Sequence, residues 1–322
     1  MSVKVYFTAH GDEELYRAFR GIMPDGFELV TLTTNSEDEQ LTKIADCEVA
    51  LVAIMNFSAK LIDAAPRLRL AIHLGVGYQD TVDVAALKRR GIRLALTPEG
   101  TVTAVAEHTV MMMLAIYKEL LGKDRDLRNG LFRWHDSHPT TRNLNGRVIG
   151  YVGMGRIGQQ VARRLVPFGT TGIYVDPAAP LTEAQEAALN LRRAGFAEVL
   201  SSADIVTVHV PLTNETRHIM DAAAIAKMRP GAVLINTARG GVLDEKALQQ
   251  ALESGHLSGA GIDVFETEPV PPGYPLARFE NVVFSPHAAG GTGDALHEKI
   301  AVIANNLECY RRGKMLTNEV TL

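Results

Sequence analysis

The chain has 322 residues, the length of about two domains. It carries 33 lysines plus arginines against 37 aspartates plus glutamates, a formal charge of −4, so it has no chain-wide basic face with which to grip nucleic acid. At 46% hydrophobic and 22% charged it is too apolar to be a disordered chain, and its two cysteines, Cys47 and Cys309, make neither a disulfide framework nor a zinc or redox motif.

Short β-branched runs alternate with helical patterns. Strands are predicted near 3–7, 27–31, 49–54, 69–73 and 92–95, with helical stretches at 13–20 and 82–90. The polar turn after the first apolar stretch comes too soon for a signal peptide. The longest apolar runs, 49–55 and 110–117, are far short of the ~20 residues a membrane helix needs. A cytoplasmic protein without membrane contact is expected, and the cysteine usage fits a reducing compartment.

From 101 to about 130 the pattern predicts one long helix, with Val102, Val105, Ala106, Thr109, Met113, Ile116 and Leu120 on one stripe and Gly130 as its stop. The aperiodic polar segment 133–143 follows as an exposed loop, with Trp134 and His138 in it. A second alternating series places strands near 148–152, 172–176, 205–209, 232–236, 259–263 and 281–284. Its helices fall at 156–168, 183–194, 221–228 and 244–254, and a last helix at about 294–312. Strand–helix alternation means parallel strands covered by helices on both faces. No repeat of 20–50 residues is present.

The sharpest motif is VIGYVGMGRIG, in which Gly153, Gly155 and Gly158 give G-x-G-x-x-G between an apolar strand and an amphipathic helix. The first glycine permits a tight turn, the second lets a pyrophosphate approach the backbone, and the third lets helix pack on strand. The helix N-terminus, with Arg156 and Ile157, offers free N–H groups to the phosphates. Asp176 ends the next strand, 18 residues after Gly158, where a carboxylate can bond the ribose hydroxyls and repel a 2′-phosphate. The cofactor expected is therefore NAD. An ordinary strand–helix turn would account for the glycines alone, and a turn residue before Pro177 for Asp176 alone.

Further segments carry a resemblance: HLGVGYQDTVDVAALKRRGI (73–92), AVAEHT (104–109), HVPLTNET (209–216), LINTARGGVLDEKAL (234–248), GIDVFETEP (261–269) and FSPHAAGGT (284–292). In this order they resemble the D-isomer-specific 2-hydroxyacid dehydrogenase family, which includes glyoxylate/hydroxypyruvate reductases and phosphoglycerate dehydrogenases. The resemblance runs from about residue 70 to 312. It implies two Rossmann-like or flavodoxin-like doubly wound parallel-sheet α/β domains with an active-site cleft between them. Residues 1–100 plus 291–322 would form a discontinuous substrate-binding domain, with the NAD-binding domain, 101–290, inserted in it. Closure about hinges near 98–101 and 288–293 would dry the cleft.

Reducing a 2-keto acid needs a cation for the carboxylate, a proton donor for the carbonyl oxygen, and a group that keeps the donor protonated. Arg239 fits the first role, because a guanidinium stays charged and clamps a carboxylate with two parallel hydrogen bonds. His287, in Ser-Pro-His after an apolar strand, fits the second, since histidine titrates near neutrality. Glu268 fits the third, because a neighbouring carboxylate stabilises an imidazolium. The family pattern places all three at these positions; Glu266 is taken as a solvated loop acid. The resemblance also gives Asp263 to the nicotinamide carboxamide, Thr237 and Ala238 to the nicotinamide ribose, and His209, Val210, Pro211 and Thr216 to the cofactor's other side. The backbone of Gly75, Val76 and Gly77 offers a small anion nest for the substrate carboxylate, unless that turn simply needs positive φ. No metal is expected.

Other readings compete. Tyr310-x-x-x-Lys314 has short-chain dehydrogenase spacing, but it sits in the last helix without that family's early glycine segment. An NAD-sensing binding protein or an inactive scaffold would not need all three chemical roles. Formate dehydrogenases resemble this fold but pair their histidine with glutamine, which argues against formate. Phosphoglycerate members often carry an arginine in the segment here read IMNFSAK (54–60), where Asn56 and Phe57 stand instead. The length would leave no room for the regulatory domains of the longer phosphoglycerate enzymes, but some shorter family members use phosphoglycerate too, so length alone does not decide the substrate. A small 2-keto acid of the glyoxylate or hydroxypyruvate type is therefore expected, with phosphoglycerate as the alternative. Met111, Met112 and Met113 put large apolar groups on more than one face of their helix, which fits either a homodimer or burial between the two lobes.

Overall fold

The apolar runs become strands because their β-branched and aliphatic residues pack on both faces of a pleated sheet. The computed structural model describes residues 2–53, 55–136, 139–178 and 180–322. The chain divides into one unit of Met1–Thr101 with Gly291–Leu322 and a second of Val102–Gly290.

The first unit begins β1 (Val3–Phe7), α1 (Glu13–Arg20), β2 (Phe27–Val30), α2 (Glu37–Ile44), β3 (Val49–Val52), α3 (Ala59–Asp63), β4 (Leu70–His73), α4 (Val84–Arg90) and β5 (Arg93–Leu96). The second contains α5 (Thr101–Tyr117), α6 (Leu120–Arg128), β6 (Val148–Val152), α7 (Arg156–Leu165), β7 (Thr171–Val175), α8 (Glu183–Leu189) and β8 (Leu191–Arg193). It continues through α9 (Phe196–Ser202), β9 (Ile205–Val208), α10 (Ala222–Lys227), β10 (Ala232–Asn236), α11 (Glu245–Glu253), β11 (Leu257–Ile262) and β12 (Val282–Phe284). The chain then returns to the first unit as α12 (Gly293–Arg311) and β13 (Glu319–Val320).

In the first unit the strand order is β13-β5-β4-β3-β1-β2, parallel except for β13, which lies antiparallel on β5. Period-2 alternation feeds two cores: Ala50 and Val52 point to one face, Val49 and Leu51 to the other. In the second unit the order is β12-β11-β10-β9-β6-β7-β8, all parallel. Val206, Leu234 and Ile262 fill one face and Ile205, Val233 and Ile235 the other. Fully burying each such side chain is worth ~2 kcal/mol. Helices start where a side chain can cap them: Asp12, Ser36, Asp83, Thr182, Asp221 and Thr292 each accept a hydrogen bond from a first-turn N–H.

Two expectations are corrected. The single helix over 101–130 is two helices. Glu119 is left-handed at φ 51, and the carbonyl of Tyr117 is taken by the Arg142 N–H at 2.8 Å rather than by a continuing helix. The helix over 183–194 stops at Leu189, because Asn190 turns left-handed at φ 54 and releases Leu191–Arg193 to pair with β7 as an edge strand. Of the three methionines, Met112 and Met113 are buried within the second unit and only Met111 is exposed. Trp134 is exposed, and His138 lies outside the described residues. Among the described residues no helix is long and apolar enough to cross a membrane.

Candidate active site

Within the second sheet, β7 and β8 lie to one side of β6 and β9–β12 to the other, so the strand order reverses between β6 and β9. In open parallel sheets ligands bind beyond the carboxyl ends of strands at such a reversal. Gly153 follows β6 there with φ +97, and a Cβ on it would come within 2.6 Å of the His209 carbonyl oxygen after β9. A Cβ on Gly158 would lie 2.6 Å from the Gly153 carbonyl oxygen, so the third glycine is what lets α7 close on the loop. Gly155 differs. It caps α7 with ordinary extended backbone (φ −69, ψ −163), and a Cβ there would meet nothing within 4 Å. No side chain caps this helix. Arg156 and Ile157 open its first turn, where helix N–H groups lack intrahelical partners and can bind an anion. Asp176, at the end of β7, accepts the Met154 N–H at 2.7 Å and the Ala178 N–H at 2.9 Å, which ties it to the same loop.

The residues at the ends of β10, β11 and β12 form a second constellation. His287 Nδ1 lies 2.8 Å from Glu268 Oε2, and Glu268 Oε1 accepts the Phe265 N–H at 2.9 Å. Burial pushes the Glu268 carboxyl up. The bonds from His287 and Phe265 and the nearby charges of His287 and Arg239 more than offset this, and the net shift is downward. Arg239 is thus close enough for its charge to act on Glu268. The approach is built in, because a Cβ on Gly240 would collide with the backbone of Phe265, so only glycine lets the two loops touch. The Arg239 guanidinium donates from Nη1 to the Ala238 carbonyl at 2.8 Å.

Asn236 was not singled out from sequence. It is fully buried, its Nδ2 donates to the Arg239 carbonyl at 2.9 Å, and its Oδ1 accepts the Ala238 N–H at 3.1 Å, so it staples the arginine loop. A polar residue ending the apolar run AVLIN was the available signal.

The remaining expected residues fall at the same strand ends with different surroundings. Asp263 is 1% exposed, and its carboxylate accepts from Ser285 Oγ, Ala288 N–H and Ala289 N–H. Thr237 is buried, and its hydroxyl meets that of Thr109 at 2.9 Å. His209 Nε2 is 3.0 Å from Thr207 Oγ1, and burial pushes the ring down to about 3. Val210 packs beside Gly153, and Thr216 donates to the Pro211 carbonyl at 2.6 Å, closing its own loop.

In the first unit Gly75 is not left-handed, and a Cβ there would make only an ordinary 3.5 Å contact with His73. A need for positive φ therefore does not explain that glycine. Phe57 is fully buried in the first core and Asn56 is exposed, so Phe57 is a packing residue. Tyr310 directs its hydroxyl to Glu48 at 3.4 Å, a structural partner. Among the described residues no group of three or more His, Cys, Asp or Glu is placed to hold a metal ion.

Comparison with known proteins identifies the family. The family model for the NAD binding domain of D-isomer specific 2-hydroxyacid dehydrogenases matches residues 110–289. A glyoxylate reductase of Korarchaeum cryptofilum is 37% identical over 284 residues, covering 87% of this chain and 84% of that protein. A D-3-phosphoglycerate dehydrogenase of Mycobacterium leprae is 35% identical over 88% of this chain, which spans only 52% of that longer protein. Among solved structures, the TT0316 protein of Thermus thermophilus superposes with a TM-score of 0.88 at 31% identity, over 99% of this chain and 100% of that one.

Proposed function

Because this chain belongs to the D-isomer specific 2-hydroxyacid dehydrogenase family, we propose that it reduces glyoxylate, hydroxypyruvate or another small 2-keto acid, with Arg239, Glu268 and His287 as its catalytic set. It is an NAD-dependent oxidoreductase acting on a CH–OH group. The observation that carries the residue assignment is the 2.8 Å contact between His287 Nδ1 and Glu268 Oε2, with the Arg239 charge bearing on the same carboxylate.

NAD, when bound, supplies or accepts the hydride at the substrate's C2. Gly155, Arg156 and Ile157 would hold its pyrophosphate by backbone N–H groups, and Asp176 its ribose. His209, Val210, Pro211, Thr216, Thr237, Ala238 and Asp263 would line the rest. Arg239 clamps the substrate carboxylate with two charge-assisted hydrogen bonds and polarises the carbonyl. With His287 Nδ1 occupied by Glu268, Nε2 is the ring atom that delivers the proton to the carbonyl oxygen, and takes it back in the oxidation direction. Glu268 stays ionised below the usual glutamate range and so faces the imidazolium with a full negative charge. In the first unit, Gly75, Val76 and Gly77 are a separate candidate for binding a carboxylate through backbone N–H groups.

The test is NADH and NADPH oxidation against glyoxylate, hydroxypyruvate, its 3-phosphate, pyruvate and phenylpyruvate. Fastest turnover of an unphosphorylated small acid with NADH supports the proposal. Fastest turnover of the 3-phosphate would move it to a phosphoglycerate-type substrate. Tight NADH binding without turnover on any acid would move it to an NAD-sensing binding protein.

We also place the protein in the cytoplasm as a homodimer. Both cysteines are free. Met111, Leu120, Leu121, Leu127, Phe132 and Trp134, close in sequence within the second unit, are all exposed, and large exposed apolar side chains are what a subunit contact would cover. Light scattering that returns the mass of one chain would remove the dimer.

A further inference from the structure

His108 and Thr109 stand side by side in α5, and each reaches toward a different catalytic loop. His108 Nε2 lies 2.7 Å from Ser285 Oγ, and Ser285 Oγ lies 2.5 Å from Asp263 Oδ1. Chemistry fixes the direction of these bonds. Asp263 also accepts the Ala288 N–H at 2.9 Å and the Ala289 N–H at 3.1 Å, so its carboxylate is acting as an acceptor throughout. The Ser285 hydroxyl must then donate to Asp263, and its oxygen is left to accept a proton from His108. The chain runs one way, from His108 Nε2–H through Ser285 to Asp263.

Asp263 in turn fastens the loop that presents His287. Its main-chain carbonyl accepts the His287 N–H at 2.7 Å, while its carboxylate holds the next two amides. The bracing has a purpose, because His287 sits at φ 52, a left-handed conformation a non-glycine residue keeps only when its surroundings hold it there.

Thr109 makes the second connection. Fully buried, it donates its hydroxyl proton to the Val105 carbonyl at 2.7 Å, so its oxygen must accept from Thr237 Oγ–H at 2.9 Å. Thr237 is two residues before Arg239. The helix offering these groups is itself fixed, since Met112 packs beneath the strands at Gly261 and Ile235.

We propose that His108 and Thr109 are positioning residues for catalysis: adjacent side chains of one rigid helix set the His287 loop, through Ser285 and Asp263, and the Arg239 loop, through Thr237. This rests on the reading of His287 and Arg239 as catalytic groups. A side chain that orients a catalytic group through a defined hydrogen bond governs rate, because a small misplacement of the reacting groups costs turnover.

The two arms predict different kinetic signatures. With NADH and glyoxylate or hydroxypyruvate, whichever turns over faster, His108→Ala should lower kcat roughly tenfold while KM and NADH affinity stay within about twofold. His108→Gln, whose amide N–H can donate to Ser285, should recover most of that loss. The His108→Ala/Ser285→Ala double variant should be no slower than the slower single one, because both break one chain. Thr109→Val should instead raise the keto-acid KM roughly fivefold at nearly constant kcat, by loosening the arginine clamp, and Thr109→Ser should restore it.

The proposal is overturned if the His108→Ala and Thr109→Val enzymes match wild type. It is equally overturned if His108→Gln is no better than alanine, or if activity falls only in proportion to the fraction of chains that still bind NADH. A His287→Ala control separates the layers. Inactive His287→Ala beside an unimpaired His108→Ala sinks the positioning proposal alone, whereas wild-type turnover by His287→Ala removes the catalytic reading with it.

Discussion

The glycine loop after β6 and the corner of Arg239, Glu268 and His287 lie at strand ends of one sheet, yet they are built from opposite materials. The loop offers backbone. Gly153 and Gly158 are glycines because the fold leaves no room for a Cβ, while Gly155 has ordinary backbone angles and open space. Of the three, only Gly155 is left unexplained by the packing of the chain itself. The corner offers side chains, and there the fold spends conformational strain at His287 and close backbone contact at Gly240 to aim them. On the proposed reading this is a division of labour: the pyrophosphate would be held by main-chain groups and turnover carried by side chains, so the two can be damaged separately.

Loss of the proposed carboxylate clamp should damage the corner severely. If Arg239 clamps the substrate carboxylate as proposed, Arg239→Ala should cut kcat/KM by about a thousandfold. Arg239→Lys should recover little, since an ammonium cannot reproduce the planar fork. NADH affinity measured by fluorescence titration should stay near wild type in both variants. A loss of affinity matching the loss of turnover would erase the distinction between corner and loop.

Substitutions within the glycine loop sharpen the comparison from the other side. Gly155→Ala should leave the melting temperature unchanged and weaken NADH binding roughly tenfold, about 1.4 kcal/mol. Gly153→Ala should lower stability by ~1–2 kcal/mol or more, from left-handed strain and collision with the His209 carbonyl, and so lower the melting temperature. Equal stability of the two variants would show that the fold does not distinguish these glycines.

Acid should separate the regions along a second axis, the pH at which stability is lost. The Glu268 carboxyl is held below its usual range, so its contribution to stability is complete above the unfolded value and is lost as pH falls through the lowered one. Glu268→Gln should therefore flatten the stability profile only at strongly acidic pH. His209, beside the loop, is pushed down to about 3 and stays neutral in the fold. The unfolded chain takes up that proton below its ordinary value near 6.5, so stability drains from there downward, by no more than about 1.4 kcal/mol per pH unit. His209→Gln should remove that slope, which begins nearer neutrality than the Glu268 one, and melting curves across the acid range would check both.

The glycine loop was legible in the sequence because its constraints are local: three glycines within six residues, a strand before them and a helix after. Arg239, Glu268 and His287 were singled out by the family resemblance together with the residue types such chemistry requires, and the structure brings Glu268 and His287 into contact. Their bracing was not legible. His108 and Ser285 are 177 positions apart, and no local pattern declares that a helix side chain will donate to a hydroxyl at a strand end. Asn236 hid in the same way, as one polar letter closing an apolar strand. The break after Tyr117 escaped periodicity because Glu119 is a good helix former, and what accompanies its left-handed backbone is a bond from the distant Arg142 N–H to the Tyr117 carbonyl. β8 and β13, at three and two residues, are too short to show an alternation at all.

One preparation tests the central claim most directly: His287→Ala, measured for NADH binding and for single-turnover reduction of glyoxylate and hydroxypyruvate on the same sample. The account predicts wild-type NADH affinity together with a reduction step slowed by about a hundredfold to ten-thousandfold, the usual range for a lost general acid. Reduction at the wild-type rate, or loss of NADH binding along with reduction, would contradict it.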